Sequence, residues 1–409
     1  MKTKWPTKKL AEVCEFQNGL WTGKKPPYKR VCVLRNTNFK NNDGSLNYDD
    51  VAEIEVEEKQ LEKRLLQPND IILERSGGGP TQPVGRVVFF DKAGEYSFSN
   101  FTSRLRVFDT NELMPKFLHW FLMLQYISGK TENLQKQTTG IRNLIFAEYK
   151  EIEIPLPPLE EQKRIVKVLD EKLGKVREAI QLRKEAIADT EKILSAKLTE
   201  IFTEGKEKGW EERRIDEVAI INPKKSEISW VTDETQVAFV PMSAVSDTQQ
   251  KIVDREMRSL GEVRKGYTYF KRGDLLFAKI TPCMENGKVA VADIETEIGF
   301  GTTEFHVLRS IEAKSNIRFL YYILASKKFR LEAEKKMTGS AGQKRVPKDF
   351  IESYRITIPD LKTQEKIVKE LDELSARVAE LRALQDTQLA DLKSLERAYL
   401  YEAFNGQLL

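Results

Sequence analysis

Histidine and cysteine are scarce in this 409-residue chain: two histidines, His119 and His306, and three cysteines, Cys14, Cys32 and Cys283. A histidine-based zinc centre or a Ser-His-Asp triad therefore has little support. Three cysteines make neither an even-numbered framework nor a CxxC pair, which fits a reducing cytoplasm. Long apolar runs are missing too. The most apolar stretch, FLHWFLMLQYI from Phe117 to Ile127, is too short to cross a bilayer, and the opening MKTKWPTKKL has no hydrophobic signal core. The expectation is a cytoplasmic protein with no membrane partner. Charge of one sign is also lacking: 67 basic against 63 acidic residues leave +4, compatible with a polyanion partner but not diagnostic of one.

Two short motifs look like chemistry and are not. SGGGP, from Ser76 to Pro80, lacks the Gly-Lys-Ser/Thr ending of a phosphate-binding loop. KPPY, from Lys25 to Tyr28, has lysine where an amino-group methyltransferase needs an Asn or Asp acceptor, and lysine accepts no hydrogen bond. No glycine-rich cofactor loop follows a strand at a sensible distance. The expectation is no catalytic residue, no metal ligand and no cofactor on this chain.

What is present is a repeat. IPLPPLEEQKRIVKVLDE (from Ile154) returns as IPDLKTQEKIVKELDE (from Ile358), with Gln162 and Gln364 202 positions apart (364 − 162). That period is the size of a domain plus a connector, not of a solenoid repeat. The pattern extends outward. Trp5, Leu10 and Val13 match Trp210, Ile215 and Val218; NDIILE matches GDLLFA; KFLHWFL matches RFLYYIL; GIRNL matches GQKRV. Short β-rich runs such as DIILE, GRVVFF and KVAVADI mix with helical ones such as PKFLHWFLMLQYISGK, which predicts α+β domains.

After each proline-marked exit the pattern changes. Val166, Leu173, Ile180, Ile187, Leu194 and Ile201 share one heptad column; Leu371, Leu374, Val378, Leu381, Leu392 and Leu395 keep a 3-4 spacing in the second copy. Charged residues surround both sets, as in a coiled-coil seam. Arg183, Thr190 and Lys197 interrupt the first column, and Gln385 and Gln388 the second; such polar layers commonly fix register. Each helix runs roughly 40 residues, or roughly 60 Å. The predicted architecture is two α+β domains in pseudo-two-fold tandem, separated by two long helices in an antiparallel coiled coil. The predicted bounds are 1–157, 158–204 (helix), 205–359 and 360–409 (helix). A duplex DNA read at two fixed sites suits that layout.

This layout resembles the specificity (S) subunit of Type I restriction–modification enzymes over the whole chain. The duplicated PLPPLEEQKRIVKVLDE and IPDLKTQEKIVKELDE, each after a polar loop (TTGIRN or SAGQKR), carry the likeness. GDLLFAKITPCMENGKVAVA and the closing YEAFNGQLL add to it. The resemblance implies two target recognition domains, each reading half of a split duplex DNA sequence. It implies two methyltransferase (M) subunits on the helices, carrying S-adenosylmethionine for adenine methylation. Two motor–nuclease (R) subunits, using ATP and Mg, complete the restriction form; a methylation-only complex would lack them.

Phosphate contacts need Lys, Arg and small polar donors, and base reading needs Arg, Lys, Asn, Gln or Glu at loops. In the first domain Ser76, Gly77, Gly78, Gln82 and Arg86 offer close approach and donors, with Asn100, Thr102, Arg104 and Arg142 beyond. In the second, Lys279, Thr281, Glu285, Asn286 and Lys288 lie between two strands, followed by Thr302, Thr303 and Glu304, then Gln343, Lys344 and Arg345. Two rivals stand beside this reading. One is a coiled-coil scaffold with two protein-binding modules; the other is a self-sufficient DNA-modifying enzyme, which the missing motifs disfavour.

Overall fold

The computed structural model describes residues 5–407 apart from residues 22, 24, 41, 42, 80, 81, 139, 248, 250 and 341. It has two compact units, residues 1–185 with 385–409, and residues 186–384. No helix among the described residues is long and apolar enough to cross a membrane.

The first unit is built on a four-stranded antiparallel sheet ordered Cys14–Asn18, Thr102–Val107, Asp70–Glu74, Val87–Phe90. All of Asp70–Glu74 is buried, which explains why DIILE is apolar without alternation: both of its faces are covered. A second sheet is ordered Ala52–Glu57, Tyr28–Leu34, Tyr96–Phe98, its last pair running parallel. The second unit repeats the plan. One sheet is ordered Ala219–Ile221, Phe305–Ser310, Leu275–Ala278, Val289–Val291. The other is ordered Glu256–Ser259, Gln236–Val240, Ile298–Gly301, Thr268–Lys271, again with one parallel pair, the second with the third. A short antiparallel pair closes each unit beside its long helix: Thr7–Lys9 with Glu153–Pro155, and Glu211–Arg214 with Arg355–Ile358.

A buried helix fills each core. Pro115–Ile127 begins with proline at its first turn, where no amide partner is lost, and is apolar almost all round. Its counterpart Ile317–Ala325 is capped by Asn316, whose side chain accepts from the Arg318 and Phe319 amides. Phe404, near the chain end, packs on Phe117 and Phe121 with ring centroids 5.1 and 5.3 Å away, so the C-terminal residues complete the first core.

The long helices span Leu159–Glu207 and Leu361–Phe404. Within the first unit Lys172 lies over Tyr399 and Arg177 pairs with Glu396 at 3.1 Å. Within the second, Glu191 pairs with Arg382, and Lys197 with Glu370 at 2.9 Å. Advance along one helix is retreat along the other, so the strands of this coil run antiparallel in each unit. Val166, Leu173, Ile187, Ile201 and Leu371 are buried, while Ile180, Leu194, Leu374, Val378 and Leu392 are half-buried. Leu381 and Leu395 depart from the predicted seam: they are 41% and 38% exposed. A straight helix drifts by ~20° per heptad, enough to turn leucines out of a nominal column. Gln385 and Thr190 are buried at seam positions, whereas Gln388 faces solvent.

The repeated glutamine has a repeated role. Gln162 Oε1 accepts from the Met114 amide at 2.7 Å, and Nε2 donates to the carbonyls of Glu112 (2.8 Å) and Pro157 (2.9 Å). Gln364 Oε1 accepts from the Asn316 amide at 2.8 Å, and Nε2 donates to the carbonyls of Lys314 (3.2 Å) and Pro359 (2.8 Å). Both glutamines are fully buried. Each ties the start of a long helix to the entry of the core helix of its own unit. Gln364→Leu strips the Asn316 amide of its partner, at a cost of about 1–3 kcal/mol for each buried group left unpaired. Urea unfolding of Gln162→Leu and Gln364→Leu, each of which leaves one amide and two carbonyls without the glutamine, should each show at least that loss; a change within ~0.5 kcal/mol would count against the staple.

Candidate nucleic-acid interface

In the second unit the buried strand Leu275–Ala278 emerges at Lys279, and the chain returns at Lys288, whose carbonyl accepts from the Ala278 amide at 3.0 Å. The intervening turn is tied from inside. Thr281 Oγ1 donates to Glu285 Oε1 at 2.8 Å, and Arg330 donates to the Glu285 carbonyl at 2.7 Å. Gly287 has φ +81°, a left-handed conformation that favours glycine.

Two further predicted loops meet this turn. The Lys279 amide donates to the Glu304 carbonyl at 2.9 Å, the Val346 amide to the Lys279 carbonyl at 2.8 Å, and the Thr281 amide to the Lys344 carbonyl at 3.0 Å. Arg345 holds Glu304 through Nε (2.9 Å) and Nη2 (2.8 Å). That pair keeps the Glu304 carboxyl below its usual range, and burial lowers the Lys279 ammonium. Segments far apart in sequence thus form one rim. Asn286, Thr303, Gln343 and Lys344 are exposed on it; Thr302 is half-buried and receives the Glu304 amide at 3.3 Å. Lys288 is turned inward, donating to the Met242 carbonyl at 3.0 Å, so it serves the loop rather than the surface.

The first unit builds the same rim from other residues. The Leu144 amide donates to the Arg75 carbonyl at 2.8 Å, as Val346 does to Lys279. Ser76–Gly78 pairs with Ile141–Leu144, and the Arg75 and Ser76 amides donate to the Phe101 carbonyl at 2.9 and 3.2 Å. Ser76, Gly77, Asn100 and Arg142 are brought together this way. Gln82 is exposed nearby; Pro80 and Thr81 of the same predicted loop lie outside the described residues.

Four expected contact residues are buried and otherwise engaged. Arg86 grips Glu74 through Nε and Nη2, both at 2.7 Å, with Glu74 1% exposed. Arg104, 3% exposed, reaches Glu15 at 2.6 Å. Thr102 is fully buried and donates to the Ser99 carbonyl at 2.7 Å, and Gly78 is buried under Gln82 and Val84. These residues support the rim from beneath. Sequence reasoning missed Arg330 and Phe101, and with Phe101 also Trp21, Arg35 and Asn36, which line a cleft beside Gly77 and Asn100. The readable signal for Trp21 was an aromatic set between glycines in the polar run NGLWTGKK.

His306 anchors the second rim from behind. Its Nε2 lies 2.9 Å from the Val346 carbonyl, which only accepts, so Nε2 carries the proton. Nδ1 then accepts from the Asn222 amide nitrogen at 3.1 Å, while Asn222 Oδ1 accepts from the Val307 amide at 2.9 Å. Burial pushes this imidazole down to about 4. His119, fully buried, is likewise pushed well below its usual value by burial. Among the described residues no group of three His, Cys, Asp or Glu could hold a metal ion. The rims offer donors, acceptors and close backbone approach, with no assembled nucleophile and base among the described residues.

Between about pH 6.5, the unfolded value, and about 4, the folded value of His306, the unfolded chain binds more protons than the folded one. Stability therefore rises with pH across that window and is lost on acidification, by ~3 kcal/mol from this group. Urea unfolding of the second unit from pH 7 to 4 should show that slope, and His306→Gln should flatten it. An unchanged slope in the variant would place its origin elsewhere.

A family model described as the Type I restriction modification DNA specificity domain matches residues 2–186 and 207–389. Over 161 residues the chain is 43% identical to the Type I restriction enzyme EcoEI specificity subunit of Escherichia coli, covering 39% of this chain and 27% of that protein. Over 182 residues it is 39% identical to the EcoAI specificity subunit of the same organism, covering 44% of this chain and 30% of that protein. The matched stretch thus spans under a third of either relative. A chain from a solved structure concerning complex assembly and conformational transition of the type I R-M system superposes with a TM-score of 0.73, at 22% identity and 100% coverage of both chains. That likeness is one of fold. With both halves matched by its model, the chain belongs to the Type I restriction modification DNA specificity domain family.

Proposed function

We propose that this chain is the DNA-sequence specificity subunit of a Type I restriction–modification complex, reading a bipartite duplex target with one half-site per unit. The carrying observation is the pair of rims. One hydrogen-bonded plan presents Ser76, Gly77, Asn100 and Arg142 in the first unit and Asn286, Gln343 and Lys344 in the second. A scaffold used twice with different loop chemistry suits two different half-sites, because frame and reading surface are separate. The membership of both halves in a DNA specificity family supports the same reading.

On this reading the chain contributes recognition and no bond-making. Two methyltransferase subunits dock on the long helices and carry S-adenosylmethionine. Motor–nuclease subunits, where present, carry ATP and Mg. The complex acts in the cytoplasm on double-stranded DNA. Binding is electrostatic in large part, so log K should fall linearly with log salt, at about −0.9 per phosphate neutralised.

Two substitutions separate the roles. Lys344→Ala removes an exposed cation and should weaken all duplexes alike while reducing the salt slope by about 1. Asn286→Ala should cost about 1–3 kcal/mol and relax one base position. Titrations against target and scrambled duplexes at several salt concentrations decide between these patterns; salt-insensitive association would favour a protein scaffold instead.

Exchanging residues 210–355 for the matching segment of a relative tests modularity. Methylome sequencing of cells carrying the chimera should show one altered half-site and one unchanged. A change in both would defeat the one-unit, one-half-site reading.

A further inference from the structure

The first unit contains a cleft of about 500 Å³ that opens on its rim at Gly77 and Asn100. Its floor is apolar, formed by Val33, Ile54 and Val56, and Trp21 and Phe101 stand at its mouth, 66% and 46% exposed. Exposed aromatics beside polar loops are the usual platform for stacking a nucleobase.

Three residues that line the same cleft each carry a buried polar atom without a partner among the described residues: Arg35 Nε, Asn36 Oδ1 and Ser99 Oγ. The Asn36 amide is oriented, because its Nδ2 donates to the Ser76 carbonyl at 2.7 Å; its Oδ1 is therefore an acceptor. Gly77, at φ +103°, allows this approach, since a Cβ there would sit 3.0 Å from Asn36 Nδ2. The residues of this wall thus carry a donor, an oriented acceptor and a hydroxyl just beneath its surface. Buried polar groups are nearly always satisfied. A phosphate here would meet an apolar floor and one cation. A planar heteroaromatic ring suits an apolar floor with two exposed aromatics and polar residues at its wall.

The scaffold does not require these groups. In the second unit the equivalent short helix, Met242–Ala244, is preceded by Pro241, so Pro-Met stands where the first unit has Arg35-Asn36. The polar lining is particular to one unit, as a recognition element would be.

We propose that this cleft captures a single nucleobase extruded from the duplex within the first half-site. The proposal rests on the DNA-reading function above and adds to it that one target base is read outside the stack. Extrusion is easiest where a base is already mispaired. Capture on the aromatic pair then offsets the lost stacking.

The test uses the full chain and the target duplex obtained by methylome mapping, with single mismatches placed in turn along the first half-site. At one position a mismatch should tighten binding by about tenfold, since less pairing must be broken. Trp21→Ala and Phe101→Ala, both at exposed positions, should each weaken the matched duplex by about fivefold to a hundredfold, the range for one stacked base, and abolish the mismatch gain. Thermal melting confirms that each variant is folded. If every mismatch weakens binding and both variants bind as tightly as the parent, the cleft takes no base. In that case salt-dependent, sequence-specific binding through both rims would leave the broader DNA-reading function standing. Failure of the parent chain to bind any duplex would remove both.

Discussion

The rest of the structure depends on a buried glutamine at the start of each long helix. A helix N-terminus carries amides with no partner of their own, and a β-rich domain has its own exits to close. Gln162 and Gln364 settle both at once. Each accepts one amide from the segment leading into a core helix and donates to one carbonyl of that segment and to one at the proline-marked exit. A second layer follows one helical stretch on. Trp120 donates to Asp170 at 3.0 Å, and Tyr322 and Arg318 both donate to Asp372. Core helix and long helix are therefore fixed by side-chain hydrogen bonds as well as by packing in each unit.

With that junction fixed, the sheets can hold the rims still. Asp70 receives both Nε and Nη2 of Arg106 at 2.7 Å, and Asp274 receives Arg309 at 2.8 and 2.7 Å. Each aspartate is almost fully buried and also accepts a backbone amide, from Gln67 and Lys271, both at 2.7 Å. Bidentate charge-assisted bonds of this kind add orientation as well as energy. They sit at the start of the central strand whose far end becomes the rim, at Arg75 and Lys279. The loops can then differ freely in sequence without loosening the frame.

The repeat was legible because it is written in residues that the frame needs: the glutamines, the helix exits and the apolar runs DIILE and DLLFA all recur at matching places. The seam was less legible. Heptad spacing picks out Leu381 and Leu395 as readily as Leu371, but only position around a real, drifting helix decides which is covered. The rim was half legible. Asn286 lies on a loop between strands and Lys344 on a loop between helices, and both are exposed as their setting suggests. Arg86, Arg104 and Thr102 sit in or beside strands, where alternation sends every second side chain inward. Nothing local in GRVVFF reveals that Glu74, twelve residues earlier, waits as a buried partner for Arg86.

Arg35 and Asn36 show a different limit. A sequence displays a short polar turn, RNTN, that reads as ordinary solvated loop. The fold makes it unusual by laying Ser76–Gly78 against it and burying polar atoms between sheet and loop. Whether a polar residue is a frame element or a reading element therefore depends on whether its hydrogen bonds close within the protein. Arg86 and Glu74 close on each other and belong to the frame. Arg35 Nε and Asn36 Oδ1 do not close among the described residues, and they belong to residues lining a cleft that opens on the rim. The same criterion sorts the second unit. Arg345 and Glu304 hold the loop, Lys288 holds the neighbouring backbone, and Asn286 and Lys344 are left facing outward. Satisfaction, more than residue type, separates what supports this surface from what it can read.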